Sequence, residues 1–200
     1  MNPSDEIARL RDLLPAAWRM QTTVKIKNEQ SAVISSRLQF TVAGAVQIYL
    51  NSRLWQELSP SQRDLIFLRE VAWRQTTTWL KLGPFQGLAL LGCTGLIIEA
   101  IDGDVMGIAI AILLTGVGAQ QLLRRQRSAE IEVNADTEAI DIAQRRNYSE
   151  QDAAIALLEA IPAIAKLENR YKPSFTELLR CQNLRILTGQ ATVKMPAKFE

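Results

Sequence analysis

The sequence predicts a mainly α protein with a small β element and an inserted transmembrane helical hairpin, and three observations carry that reading. Two apolar runs, Leu82 to Ile98 and Val105 to Leu123, hold no charged residue and are separated only by Glu99-Ala100-Ile101-Asp102-Gly103-Asp104. Amphipathic stretches opened by recognisable helix caps lie on both sides of them. One segment, Val46-Gln47-Ile48-Tyr49-Leu50, alternates with a period of two and is rich in β-prone residues. The expected organisation is therefore 1–81, the first part of a helical domain; 82–123, the hairpin; 124–189, the remaining helical part of the same domain; and a tail, 190–200.

In chain order, Ser4 to Leu14 reads as a short amphipathic helix with Ser4 as N-cap and Ile7, Leu10, Leu13 and Leu14 on one face. Pro15 ends it. Gln21 to Gly44 has β-branched runs without a strong period and reads as loop with room for a short strand. Val46 to Leu50 is the strand, and Asn51 to Leu58 turns through one helical turn at Leu54 and Trp55. Ser59-Pro60-Ser61-Gln62 is a strong helix start: cap serine, proline at the first helical position and glutamine three residues after the cap. The helix it opens is expected to run to about Leu82.

Each apolar run is close to the roughly 20 residues a helix needs to cross a hydrocarbon core. Small residues recur at four-residue intervals, as Gly107, Ala111, Thr115 and Ala119 in the second run and Gly83, Gly87 and Gly95 in the first. Such stripes let helix backbones approach closely in lipid. A fully buried hairpin in a soluble core would have the same composition. Arg69, Arg74 and Lys81 precede the hairpin and Arg124, Arg125 and Arg127 follow it, while the loop is acidic. The positive-inside tendency then places both chain ends in the cytoplasm. Beyond it, helices are expected at about Ser128 to Arg146, from the cap Ser149 toward Glu168 with Pro162 kinking or ending it, and from the Ser174 capping box to Ile186 or Leu187. Gly189 is the stop.

The charge balance, 23 basic against 21 acidic residues, gives no global reason to expect nucleic acid. Basic residues cluster locally as Arg124-Arg125-Gln126-Arg127 and Arg145-Arg146, and the arginine run beside the hairpin suits topology and anionic lipid better. Cys93 and Cys181 stand far apart in unlike settings, which suggests a reducing compartment. The first twenty residues lack an apolar stretch, so no cleaved secretory signal is expected. A phosphate-binding glycine loop, a nucleophile elbow and a cysteine–histidine arrangement are all missing from the sequence.

The order of parts resembles the membrane zinc proteases of the gluzincin class, the HtpX heat-shock protease and CAAX prenyl protease group. In them a helix bears His-Glu-x-x-His, whose histidines bind zinc while the glutamate activates water, and a later Glu-x-x-Ala-Asp supplies the third ligand. Here the first motif falls on Leu68-Arg69-Glu70-Val71-Ala72-Trp73. Arg69 and Trp73 stand where the histidines would be, and Glu70 at the position of the base. The later motif is Glu132-Val133-Asn134-Ala135-Asp136, and Asn147-Tyr148-Ser149 resembles the family's Gly-Tyr-Asp-Pro stretch. The resemblance covers about 45 to 160 and implies a gluzincin-like helical domain with a vestigial cleft of Arg69, Glu70, Trp73, Glu132 and Asp136. The chain contains no histidine, arginine ligates no metal and tryptophan has no ligand atom, so neither a zinc site nor any other metal, cofactor or catalytic residue is expected. Arg69 would instead pair with Glu132 or Glu70 and tie the helices where the metal once did. The bland alternative for Glu132 and Asp136 is an ordinary solvated helix face.

The termini resemble something narrower. Residues 1 to 15, Met-Asn-Pro-Ser-Asp-Glu-Ile-Ala-Arg-Leu-Arg-Asp-Leu-Leu-Pro, and 175 to 185, Phe-Thr-Glu-Leu-Leu-Arg-Cys-Gln-Asn-Leu-Arg, look like a cyanobacterial family with a domain of unknown function. That implies an integral protein of the cyanobacterial plasma or thylakoid membrane. The expected function is a non-catalytic, membrane-anchored scaffold that binds or assembles a membrane protein complex, with the lipid bilayer and a protein as partners. The alternatives are an enzyme of other chemistry using Glu70 and Glu132, or a structural subunit of a membrane complex.

Overall fold

In a computed structural model, residues 2–38, 45–76, 91–95, 101, 105–126 and 129–190 are described. The chain divides into two compact units, Met1–Thr76 with Glu132–Glu200, and Thr77–Ile131.

The first unit opens with α1 (Pro3–Leu13), capped by Asn2, whose side chain accepts from the Ser4 amide. The cap is thus two residues earlier than the sequence suggested, because Pro3 takes the first helical position, where a missing N–H costs nothing. Leu10 and Leu14 are fully buried, as their shared face required. A short α2 (Ala16–Gln21) leads directly into β1 (Thr22–Ile26), and β2 (Ile34–Leu38) and β3 (Val46–Leu50) complete a sheet of order β1-β3-β2. β1 runs parallel to β3, with Val24 opposite Ile48, and β2 antiparallel to it, with Ser36 opposite Ile48. The stretch read as mainly loop therefore supplies two strands. Their short runs lack the clean alternation of β3, whose Val46, Ile48 and Leu50 all point into the core.

Asn51 caps α3 (Ser52–Gln56) and also donates to the carbonyls of Asn28 (3.3 Å) and Gln30 (2.8 Å). This holds the β1–β2 turn against the end of β3. α4 (Pro60–Thr76) begins at the expected proline. The Gln62 amide donates to Ser59 Oγ at 3.3 Å, and the Ser59 amide to Gln62 Oε1 at 3.1 Å, which is the reciprocal cap foreseen. Asp64, Leu65, Ile66, Phe67 and Leu68 are buried in succession, so no side of that turn faces water. α1, β2, β3 and α8 (Glu150–Leu167) all pack on α4.

α7 (Ala129–Gln144) ends before Asn147, which adopts a left-handed φ of 68°. Ser149 caps α8, and α8 continues through Pro162 to Leu167 instead of breaking there. The proline ring lies on an exposed part of the helix, so only the bond to the Leu158 carbonyl is forfeited. α9 (Phe175–Leu187) packs on α8 and starts with the expected capping box, Ser174 with Glu177. It is followed by Gly189 at φ 69°, a conformation glycine adopts without strain.

In the second unit, α5 (91–95) and α6 (Val105–Gln126) are described. A Cβ on Gly92 would lie 2.8 Å from the Thr115 nitrogen, and one on Gly95 would lie 3.6 Å from Ala111 Cβ. The two contacts descend along α6 as they ascend α5, so the helices are antiparallel. Among the described residues no helix is long and apolar enough to cross a membrane. Val105 to Ala119 is shorter than the roughly 20 residues required, and Gln120-Gln121 follow. Most of the first apolar run, with Gly83, Gly87 and Glu99, lies outside the described residues, as do the expected continuation of α4 over 77–82, Arg127 and the tail beyond Gln190.

Candidate functional site

Of the residues singled out, Arg69 and Glu70 on α4 and Glu132 and Asp136 on α7 come together in the first unit. Arg69 and Trp73 are one helical turn apart on α4, with Glu70 between them, and Glu132 and Asp136 are one turn apart on α7. Arg69 Nη2 forms an ion pair with Glu132 Oε2. Its Nη1 donates to Glu70 Oε2 at 3.3 Å, and its Nε stands 3.7 Å from Asp136 Oδ1. The expected tie between the two helices is thus present, and Glu132 and Asp136 are not a solvated face: Asp136 has no exposed surface. Trp73 is half-buried, and its ring carries the Arg74 guanidinium at 4.5 Å.

Three participants were not foreseen. Arg180 on α9 holds Asp136 with a guanidinium fork, Nε to Oδ2 and Nη2 to Oδ1, both 2.8 Å. Ser36 on β2 donates from Oγ to Glu70 Oε1. Arg74 donates from Nε to Ser36 Oγ and from Nη2 to the Ser36 carbonyl, each at 2.5 Å. A signal for Arg180 was available: it falls four residues before Leu184, the buried residue of α9, and a cation on a helix's inner face needs a partner there. Ser36 could not be found without the strand that carries it.

The electrostatics follow from this packing. Burial lowers the pKa of Arg69 from the usual arginine value, nearby Arg180 lowers it further, and Glu70 and Asp136 oppose both. Burial also lowers that of Arg74, against Glu70. For Arg180 burial works in the same sense, but the Asp136 carboxylate outweighs it and raises the pKa. Three guanidinium groups thus interleave with three carboxylates, and the carboxylates are engaged by cations instead of facing an open site. A cavity of about 180 Å³ adjoins the cluster, bounded by Arg69, Glu70, Glu168, Arg170, Glu177 and Arg180 among others. Among the described residues no group of three or more acidic or cysteine side chains is placed to hold a metal ion.

The Asn147-Tyr148-Ser149 stretch joins a second network through Tyr148. Glu6, buried on α1, accepts from Arg9 Nε and Nη2 at 2.9 Å each, from Trp55 Nε1 at 3.1 Å and from Arg63 at 3.3 Å. The hydrogen bonds from Arg9 foremost hold its carboxyl below the usual range. Asp64 accepts from Arg9 at 2.5 Å and from the Tyr148 hydroxyl at 2.9 Å. Burial and that bond push Tyr148 up to about 12. The Arg63-Asp64 pair and the Asn147-Tyr148 break are therefore two halves of one junction. Arg146, part of the basic Arg145-Arg146 cluster, donates to the Leu13 and Leu14 carbonyls at 3.1 and 3.2 Å and so closes the C-terminal end of α1.

Comparison with known proteins bears on this architecture. The thylakoid membrane protein slr1949 of Synechocystis sp. is 27% identical over 199 residues, covering 98% of this chain and 91% of that protein. No solved structure matches. Residues 8–148 match the family described as "Protein of unknown function (DUF3318)", a span that holds Arg9, Asp64, Arg69, Glu132, Asp136 and Tyr148 but stops before Arg180. By that match, which takes in well over half of its length, the chain belongs to the DUF3318 family.

Proposed function

We propose that the protein is a non-catalytic, membrane-anchored scaffold with a gluzincin-like skeleton, acting in the binding or assembly of a membrane protein complex. The observation that carries this is Arg69. A guanidinium in the place of a zinc-ligating histidine stays protonated, accepts no proton and ligates no metal, and here it engages Glu70, Glu132 and Asp136. Groups tied in this way hold two helices together and are poorly disposed for acid–base work, which needs a carboxyl free to exchange its proton.

Anchoring through the second unit is supported by its surface. Met106, Ile110, Ile112, Leu113 and Val117 of α6 are exposed, and contiguous apolar surface of this kind marks contact with lipid or protein. The relative's description as a thylakoid membrane protein favours a cyanobacterial thylakoid membrane, and the basic flanks at Arg74 and at Arg124-Arg125 favour cytoplasmic chain ends. The small cavity beside Arg69 and Glu70 favours a second reading, an enzyme whose chemistry uses Glu70 and Glu132.

The test is purification of the tagged chain from gently solubilised native membranes, with mass spectrometry of what co-elutes. A reproducible stoichiometric membrane complex is expected. A chain that elutes alone in detergent rejects the assembly role, and extraction by carbonate without detergent rejects the anchor. The Glu70→Gln/Glu132→Gln chain separates the enzyme: a scaffold keeps its complex and loses stability at most.

A further inference from the structure

We infer that the groove between α8 and α9, with the loop that joins them, docks onto an anionic lipid headgroup surface. This rests on the membrane attachment proposed above and adds a second contact, made by the first unit. The groove has a volume of about 970 Å³ and is lined by Leu158, Pro162 and Cys181 among others. At its mouth the chain leaves α8 through Asn169, at φ 55°, and passes along Tyr171-Lys172-Pro173 to the cap Ser174. Tyr171 is 96% exposed, Phe175 74% and Leu178 54%.

This exposure belongs to a fastened loop. The Ser174 amide donates to Glu177 Oε2 at 2.7 Å and the Glu177 amide returns to Ser174 Oγ at 3.1 Å. Arg170 bridges Glu168 at 2.9 Å and Glu177 at 2.7 Å. The bridge also neutralises the acidic groups at the base of the loop. Lys166, Lys172 and Arg185 remain, and none has an ion-pair partner among the described residues; the opposing unpaired carboxylate is Glu159.

Aromatic rings interleaved with unpaired cations match a membrane interface in both respects. Tyrosine settles at headgroup depth and phenylalanine buries just beneath it at the acyl boundary, while lysine and arginine lay their stems along apolar surface and leave their charge among anionic phosphates. The charge complementarity selects anionic over zwitterionic lipid.

The test uses the full chain with Cys93→Ser and Cys181→Ser, and a polarity-sensitive fluorophore attached through Tyr171→Cys. It is reconstituted into vesicles of phosphatidylcholine alone or of equimolar phosphatidylcholine and phosphatidylglycerol. A blue shift with quenching by nitroxide-bearing lipid is expected only where phosphatidylglycerol is present. It should reverse at 1 M salt, where the screening length falls to about 3 Å, and vanish when Lys166, Lys172 and Arg185 are all changed to Gln. Incorporation with the label still in water overturns the docking surface alone, whereas failure to float with either vesicle overturns the membrane attachment beneath it. A blue shift that grows with protein concentration in the absence of lipid assigns the groove to a second copy and also overturns the inference.

Discussion

Asp136, wholly inside the protein, receives both arms of the Arg180 fork, at 2.8 Å from each carboxylate oxygen. The pair joins α7 to α9 inside the protein, with Arg180 itself only 12% exposed. Removing one partner of a buried pair leaves an uncompensated charge and costs about 3–5 kcal/mol. Arg180→Ala should therefore lower stability by that order in urea unfolding. Arg180→Lys should recover only part, because an ammonium cannot match the fork. A loss below about 1 kcal/mol, ordinary for a surface change, would mean that the pair is solvated.

Arg69 offers a sharper comparison, since it faces three carboxylates and its charge is opposed by burial and by Arg180. Arg69→Ala should reduce the melting temperature clearly. In a double-mutant cycle with Glu132→Gln, the coupling should fall in the 0.5–3 kcal/mol range of directly interacting residues, roughly. Additive effects would show that the two side chains do not meet in solution.

If the skeleton is gluzincin-like, the metal site is recoverable. Arg69 and Trp73 share a face of α4 one turn apart, and Glu132 lies within ion-pair reach of the first. The R69H/W73H chain would present two imidazoles and a carboxylate, a donor set that zinc accepts with water in the fourth position. We expect it to take up one zinc ion per chain, measured by metal analysis after gel filtration, and to lose it on Glu132→Gln. Uptake that ignores Glu132 would remove the basis for the resemblance.

These residues were legible for a reason that did not extend to their partners. The spacing of Arg69 and Trp73, and of Glu132 and Asp136, is a local pattern on one helix, and the ordered likeness to a known motif suggested that the two helices meet. Helix starts were legible in the same way: Ser59, Ser149 and Ser174 cap where their sequences indicate. β1 and β2 were not, because their identity depends on pairing with β3 and not on their own short, mixed runs. Ser36 and Arg180 owe their roles to tertiary contacts at separations of 34 and 44 residues from their acceptors, which no local period records.

Tyr148 gives the pH dependence a sign. Its pKa is raised from 10.0 to about 12 by burial first and by the Asp64 hydrogen bond second. The folded state thus favours the neutral phenol, and this stabilisation is complete below pH 10 and lost as pH rises from 10 through 12. Tyr148→Phe should remove the part of the alkaline stability loss that falls in that window. The tyrosinate absorbance difference between the parent and Tyr148→Phe chains should titrate near pH 12. A difference that titrates at pH 10 would mean that Tyr148 is solvated and does not donate to Asp64.

The second unit is tested by two glycines whose replacement by alanine should have opposite results. Alanine is favoured over glycine within a helix by about 1 kcal/mol, so each change begins with the same gain. At Gly95 the new methyl would sit 3.6 Å from Ala111 Cβ, an ordinary contact, and the gain should stand. At Gly92 it would meet the Thr115 nitrogen at 2.8 Å and the Ala111 carbonyl at 3.1 Å. Backbone atoms cannot swing aside as a flexible side chain can, so α5 and α6 must separate and lose the packing along Ala111 and Thr115. Hydrogen–deuterium exchange on the detergent-solubilised chain should show faster exchange in peptides from 91–95 and 105–117 for Gly92→Ala, and no change or slower exchange for Gly95→Ala. The reverse order would shift the register of the hairpin by one face and displace Gly92 from the contact.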